Sequence, residues 1–159
     1  MDTLEPILRK HPFFENLDQR YIELLAGCAS NERYDADEYL FREGEEATKF
    51  FIIRHGRLTI EINVPGGSMV LYTHDEGDVV GWSWLFSPYH WHFNGRALEL
   101  VRVIALDGVC LRGKCEQDPA LGYEFLKRFS YKMMHSLDST RMQLLDLYGQ
   151  LAVETRQTG

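Results

Sequence analysis

The sequence predicts a mostly-β fold with short helices before the strands and a long helix after them. In the middle of the chain, residues 58–62 alternate apolar and polar side chains, which is the pattern of a strand with one buried face. Glycines separate this run from other short apolar runs, which is typical of strands joined by tight turns in a sandwich or roll. Towards the C-terminus, the apolar spacing changes to that of a helix.

Two short helices are expected ahead of the strands, over residues 4–10 and 18–30. Asn16 or Asp18 is a candidate cap for the second helix, because such side chains accept hydrogen bonds from the first backbone N–H groups. The strand region is expected to run from residue 34 to about residue 111, with a fully buried strand at 50–53 and further strands at 69–72 and 101–106.

A long helix is predicted to begin at Asp118–Pro119, since aspartate is a favoured cap and proline fits the first helical position. Packing of this helix on its own sheet is one explanation of its apolar pattern. A sustained period of 3.5 residues fits a partner helix better and predicts a homodimer. The residues of this heptad seam are Met133, Leu137, Thr140, Leu144, Leu147 and Leu151.

The composition is that of a globular protein. Hydrophobic residues make up 45% and charged residues 26% of the 159 residues, which allows a buried core and excludes a disordered chain. The formal net charge is −7, and a negative surface repels the phosphates of nucleic acids. Three cysteines in a chain of this size do not indicate a disulfide framework.

The start of the chain carries no apolar targeting segment, and no run approaches the ~18 apolar residues of a membrane helix. The sequence therefore predicts a cytoplasmic protein without membrane attachment. One domain is expected over residues 1–150, followed by a tail over 152–159. Within the domain, a helix and the strands are expected over about 13–111 and a helical region over 118–151.

Three glycine turns, with strands between them, resemble the cyclic nucleotide-binding domain. The segments that carry the resemblance are Phe41–Ala47, Phe50–Leu58 and Asp75–Gly81, which read FREGEEA, FFIIRHGRL and DEGDVVG. This domain is shared by catabolite activator-type bacterial regulators and by regulatory subunits of cyclic nucleotide-dependent kinases. The resemblance implies an eight-stranded antiparallel β-roll (a double-stranded β-helix or jelly roll) with flanking helices. It also implies a dimer formed through the long C-terminal helix, as in the bacterial branch.

The resemblance places a ligand-binding cassette after Gly81. In the family, backbone N–H groups and an arginine bind the cyclic phosphate, and a glutamate accepts a hydrogen bond from the ribose. Here Trp82 stands at the glutamate position, and Trp91 or His92 stands at the arginine position. Arg96 matches a later strand position, where a solvated arginine is the simpler interpretation, and remains a candidate phosphate ligand. The candidate ligand-binding residues are Val80, Gly81, Trp82, Ser83, Trp84, Leu85, Trp91, His92, Asn94 and Arg96.

Aromatic residues are concentrated in the cassette, which contains all three tryptophans of the chain. One hypothesis is that these rings fill the pocket and leave an interaction or structural module with a protein partner. A second is that they line a site for a flat or apolar effector. A third uses His90 and His92 as ligands of haem or a metal, because haem-binding members exist in the wider superfamily.

No catalytic motif is visible. The sequence lacks GxSxG, HExxH and Walker motifs, so no enzymatic activity is expected. Only about ten residues follow Tyr148, too few for the winged helix-turn-helix domain of catabolite activator-type regulators, so no DNA binding is expected from this chain alone. The sequence thus predicts a regulatory module that binds a small effector, with cyclic AMP or cyclic GMP as candidates, and signals through its long helix.

Overall fold

The computed structural model describes residues 3–158 and confirms the predicted β-roll between helices. The strands found in this range are β1 Ala29–Tyr34, β2 Tyr39–Phe41, β3 Lys49–His55, β4 Leu58–Val64, β5 Gly67–His74, β6 Val79–Val80, β7 Asn94–Ala97 and β8 Val101–Asp107. They form two four-stranded sheets with the orders β1-β8-β3-β6 and β2-β7-β4-β5, and every strand pair is antiparallel. The helices are α1 Glu5–Lys10, α2 Gln19–Gly27, α3 Gly108–Gln117 and α4 Pro119–Thr158, with a 3-10 turn at Pro12–Phe14.

Helix α2 begins at one of the two expected caps. The Asp18 side chain accepts a hydrogen bond from the backbone N–H of Arg20 at 2.9 Å. The expected end at residue 30 is wrong, because α2 stops at Gly27 and the next residues pair in a sheet. Ala29 already lies opposite Leu106 of β8, so backbone pairing replaces the helix at this point.

The strands expected at 50–53, 69–72 and 101–106 lie within β3, β5 and β8. The expectation that residues 58–62 have one solvated face is wrong for the first part of β4, where Leu58, Thr59, Ile60 and Glu61 are all buried. This strand lies between β5 and β7, and the Arg96 side chain of β7 covers its Glu61 carboxylate. An ion pair therefore shields the polar side of this strand from solvent.

The core of the roll includes aromatic contacts between the two sheets. Phe41 of β2 and Phe51 of β3 stack with ring centroids 6.2 Å apart, and both are buried. Phe50, on the same strand as Phe51, is also fully buried. Large rings remove much apolar area from water, so this contact is a main source of cohesion between the sheets.

Helix α3 follows β8 directly and was not predicted, since the strand region was expected to reach residue 111 and the next helix to begin at 118. Asp107 caps α3 by accepting a hydrogen bond from the backbone N–H of Cys110 at 3.0 Å. The helix contains Gly108 and Gly113, and glycine is a poor helix former. A cap and a buried Leu111 hold a helix that its own composition disfavours.

Helix α4 begins as predicted, with the Asp118 side chain accepting from the backbone N–H groups of Ala120 and Leu121. It continues to Thr158, so the helical region does not end at residue 151, and the residues assigned to a tail are helical up to Thr158. The chain divides into one compact unit that ends at Tyr123 and a second that begins at Glu124. In the second unit, every described side chain from residue 137 to residue 157 is exposed. None of the helices in the described range is long and apolar enough to cross a membrane.

Candidate functional site

Gly81 opens the cassette at the end of β6. Its φ of +100° is a conformation that side chains disfavour. A Cβ atom at this position would lie 2.6 Å from the Trp91 ring, closer than real Cβ contacts allow. Both the backbone and the packing therefore require glycine here, and the Trp91 ring lies directly against it.

Trp91 is a buried residue of the cassette. Its side chain is 7% exposed and stacks face to face on Phe41, with ring centroids 3.8 Å apart and an interplanar angle of 9°. Backbone hydrogen bonds fix the residue on both sides: Trp91 N–H donates to the Glu45 carbonyl at 2.9 Å, and Gly44 N–H donates to the Trp91 carbonyl at 2.8 Å. At this position, one of the two to which the resemblance assigns an arginine, the structure has an uncharged stacked ring.

Trp84 forms a second buried aromatic contact. It is 0% exposed and stacks on Phe50 with ring centroids 5.1 Å apart. Its Cβ atom lies so close to Gly108 that a methyl group there would be 2.8 Å away. Of the neighbouring candidates, Ser83 is buried and Trp82 is half-buried. The three tryptophans are thus not equivalent, because only Trp82 keeps substantial contact with solvent.

Arg112 of α3 connects the cassette to the rest of the roll. Its guanidinium donates to the Trp84 carbonyl at 2.6 Å and to the Ala47 carbonyl at 3.3 Å. The same guanidinium lies 4.1 Å from the ring centroid of Tyr89, a cation–π contact. One side chain therefore joins the turn after Gly81, the segment before β3 and helix α3.

Arg96 forms a network of ion pairs on β7. Its Nε–H is shared between the two Glu61 carboxylate oxygens at 3.1 and 3.2 Å, and Nη2 donates to the same carboxylate at 2.8 Å. Nη1 donates to Asp37 at 2.8 Å. The Glu61 side chain is 1% exposed and the Arg96 side chain 29%. Hydrogen bonding to Glu61 raises the pKa of Arg96 above its ordinary value. This arginine already pairs with two carboxylates.

Comparison with known proteins identifies the family. The model of the cyclic nucleotide-binding domain matches residues 31–118, more than half of the chain. The chain belongs to the cyclic nucleotide-binding domain family. Its eight-stranded roll and flanking helices are the fold expected of that family.

Relatives and solved structures agree with this assignment. An anaerobic regulatory protein of Bacillus subtilis is 28% identical over 110 residues, covering 68% of this chain and 46% of that protein. A cyclic nucleotide-binding domain from Methylobacillus flagellatus has a TM-score of 0.74 at 15% identity, covering 91% of this chain and 86% of the other. The regulatory subunit of a cAMP-independent protein kinase A from Trypanosoma brucei has a TM-score of 0.65 at 24% identity, covering 81% and 46%. The chain spans less than half the length of the curated relatives it matches.

The remaining cassette residues of this cyclic nucleotide-binding domain differ in burial and in hydrogen bonding. Asn94 is 4% exposed; its side chain accepts from the Glu43 N–H at 2.8 Å and donates to Asn63 at 2.9 Å. Val80 is buried opposite Phe51, and Leu85 is half-buried. His90 and His92 are both exposed. Within residues 3–158, no three His, Cys, Asp or Glu side chains are grouped so that they could hold a metal ion.

The structure places the Trp91 ring against Gly81 and directs Arg96 to Glu61. Sequence reasoning missed Glu61, because its place in an alternating strand indicated a solvated residue. It also missed Arg112, for which the sequence carries no motif. Phe41, which stacks on Trp91, belongs to the first glycine-turn segment. Its place in that segment is the one sequence feature that could have indicated a ring beside the cassette.

Proposed function

We propose that this chain is a non-enzymatic regulatory module that does not respond to cyclic AMP or cyclic GMP and acts as a homodimer through α4. The observation that carries the proposal is the Trp91 ring, which lies over Gly81 and stacks on Phe41 at 3.8 Å. Trp91 stands at one of the two positions to which the family resemblance assigns the arginine that neutralises the cyclic phosphate. An indole ring supplies no positive charge and no acceptor for a hydroxyl group.

The charges around the cassette support the same conclusion. A cyclic phosphate that enters a partly buried site needs a cationic partner, since an unpaired buried charge is strongly unfavourable. Arg96 is the nearest arginine in sequence, but it is held by Glu61 and Asp37. Moving it to a ligand would leave the Glu61 carboxylate, 1% exposed, without its counter-charge.

The outer part of α4 supports self-association. Four seam leucines are about half exposed: Leu137 at 50%, Leu144 at 47%, Leu147 at 52% and Leu151 at 49%. Thr140 fits the same seam, because its hydroxyl donates to the Ser136 carbonyl at 2.9 Å and has its hydrogen bond within the helix. A heptad seam is complementary to a second copy of itself, so a second copy of this chain is the expected partner.

The residues that flank the seam permit this pairing. They would face one another across a two-stranded helix pair, where like charges oppose association. No carboxylate occurs among them, and Arg141 is their single charged residue. The flanking residues are Met134, Ser136, Arg141, Gln143, Tyr148 and Gln150.

Thermal unfolding tests the ligand part of the proposal. The purified chain is melted with and without millimolar cyclic AMP or cyclic GMP, with a cyclic AMP-responsive family member as the positive control. A ligand at 100 times its Kd stabilises a folded protein by about 2.7 kcal/mol, a shift of several degrees at this size. We expect no shift with either nucleotide. A shift of several degrees would overturn this part of the proposal.

Sedimentation equilibrium tests the dimer. We expect a mass of twice the 18.5 kDa chain. Leu144→Asp places a charge in the seam and should shift the protein to monomer, whereas Leu145→Asp, on the neighbouring and more exposed residue at 63%, should leave the dimer intact. A monomeric wild-type protein, or equal dissociation by both variants, would contradict the proposal.

A second candidate function is sensing of an uncharged effector in the cassette, and the contacts of Arg112 favour it. Because Arg112 joins the Trp84 carbonyl to α3, a ligand that displaces the cassette would also displace that helix. Native mass spectrometry of the purified protein tests this candidate. A co-purified uncharged small molecule would support it, and a protein that carries only the mass of its own chain would count against it.

A further inference from the structure

Two cysteines far apart in sequence meet at one end of the roll. Cys28 ends α2, and Cys110 lies in the first turn of α3. The Cys28 thiol donates a hydrogen bond to the Cys110 sulfur at 3.2 Å, across a separation of 82 residues. Neither sulfur is in a disulfide. This pair plays no part in the proposed function.

Hydrogen bonds at Asp107 hold the two cysteine backbones in place. The Asp107 N–H donates to the Cys28 carbonyl at 2.9 Å. The Asp107 side chain accepts from the Cys110 N–H at 3.0 Å. The first contact continues the β1–β8 pairing, in which Ala29 lies opposite Leu106, and the second caps α3. The proximity of the sulfurs is therefore fixed by the sheet and by a helix cap.

Small molecules can reach the pair. Cys110 is exposed, and Cys28 is partly exposed. A cavity of about 530 Å³ opens beside them, a size that admits small oxidants and thiol reductants. Its lining includes Cys28, Ser30, Thr48, Lys49, Asp107 and Cys110.

We propose that Cys28 and Cys110 form a reversible intramolecular disulfide when the protein meets a hydroperoxide. The Cys110 sulfur attacks the terminal peroxide oxygen and the O–O bond breaks. Cys110 becomes a sulfenic acid, and its thiol proton goes to the departing oxygen, which is released as an alcohol or water. The Cys28 sulfur then displaces the hydroxyl group, which leaves as water with the proton of the Cys28 thiol. Two thiols are oxidised and one hydroperoxide is reduced, and a dithiol reductant reverses the change.

The order of the two steps follows from the surroundings of the sulfurs. Burial and the hydrogen bond to Cys110 raise the pKa of Cys28 to about 12, so Cys28 stays a thiol at neutral pH. Cys110 is the more exposed sulfur and meets the oxidant first. Bond formation then needs an approach of roughly 1 Å, because a disulfide is about 2.05 Å long. The product ties the end of α2 to the start of α3, the helix that carries Arg112.

Mass spectrometry of the full chain tests the proposal. The reduced protein is treated with one equivalent of hydrogen peroxide, alkylated and digested. We expect a linked pair of peptides containing Cys28 and Cys110, an alkylated Cys115, and recovery of three alkylatable thiols after dithiothreitol. Cys115, half-buried further along α3, is the internal control. The cross-link should also raise Tm by several degrees.

Two variants complete the test. Cys115→Ser should form the same linked peptide, whereas Cys28→Ser should leave Cys110 as a sulfenic acid that dimedone traps, with no rise in Tm. Three alkylated cysteines after peroxide treatment of the wild-type protein, a linkage through Cys115, or a linkage between two chains would each overturn the proposal.

Discussion

Trp84 and Trp91 of the cassette are 0% and 7% exposed, whereas Leu144 and Leu147 of α4 are 47% and 52% exposed. Both regions are rich in large apolar side chains, yet the cassette places its rings on Phe50 and Phe41 of the same chain. The outer part of α4 leaves its leucines in solvent. The cassette is therefore packed within one chain, while the apolar face of α4 is left exposed in a single chain, as at an interaction surface.

Removing the stacked ring should give the largest effect. Trp91→Ala deletes a large buried side chain and leaves a cavity beside Phe41, and such changes reduce the free energy of unfolding by about 3–5 kcal/mol. Leu145→Ala, at an α4 residue that is 63% exposed, should change it by no more than ~0.5 kcal/mol. Urea unfolding measures both values. A similar loss in the two variants would remove the contrast between the regions.

Breaking the Arg96–Glu61 ion pair should give the next largest loss of stability. Arg96→Met leaves Glu61, whose side chain is 1% exposed, without a counter-charge. Breaking a buried pair costs about 3 kcal/mol, at the low end of the usual range because the Arg96 side chain is 29% exposed. Arg57→Met breaks an exposed pair with Asp75 and should cost less than ~1 kcal/mol. Equal losses in urea unfolding would show that Glu61 is hydrated.

Two glycines separate packing from backbone strain. Gly81 and Gly77 have φ angles of +100° and +92°, but only Gly81 has another side chain within 4 Å of an added Cβ. Substitution by alanine introduces similar strain in both, so the difference between them reports the clash with Trp91. We expect Gly81→Ala to be more destabilising than Gly77→Ala by about 1–3 kcal/mol. No difference in Tm would mean that the Trp91 ring moves freely.

The start of α4 should show a small dependence on pH. A hydrogen bond from Tyr21, together with the Leu121 and Ala120 N–H groups, lowers the pKa of Asp118. The folded state therefore gains stability above the unfolded pKa of about 3.9 and loses it as pH falls through the lower folded pKa. Asp118→Asn should lower Tm at pH 7, and the difference should begin to shrink near pH 4 and disappear once the pH is below the folded pKa.

Tyr21→Phe is the control for this titration. It removes the largest cause of the shift, so the Asp118 pKa should rise towards its ordinary value in an NMR titration of the carboxyl group. An unchanged Asp118 pKa in this variant would show that the backbone N–H groups alone set the value. The same titration in the wild-type protein supplies the reference.

The sequence carried enough information for the strands, the Asp118 cap and the family, because each rests on local spacing or on glycine turns. It did not reveal α3, since Gly108 and Gly113 oppose a helix that a cap and tertiary packing support. The sequence pattern also predicted that Glu61 is solvated, because alternation along one strand does not show which side chains cover its polar face. The stacking of Trp91 on Phe41 joins residues far apart in the chain, and no local pattern reports such a pair.

The hydrogen bonds between residues 44–47 and the cassette have a kinetic consequence. Gly44 and Ala47 donate to the Trp91 and Tyr89 carbonyls, and Trp91 donates to the Glu45 carbonyl. These bonds hold the Trp91 backbone in place, so the Trp91 amide should exchange with solvent only through a rare opening of this segment. A molecule that needs this segment to move aside waits for the same opening. Its association rate would therefore reach a plateau at high concentration, set by the protein and independent of the ligand.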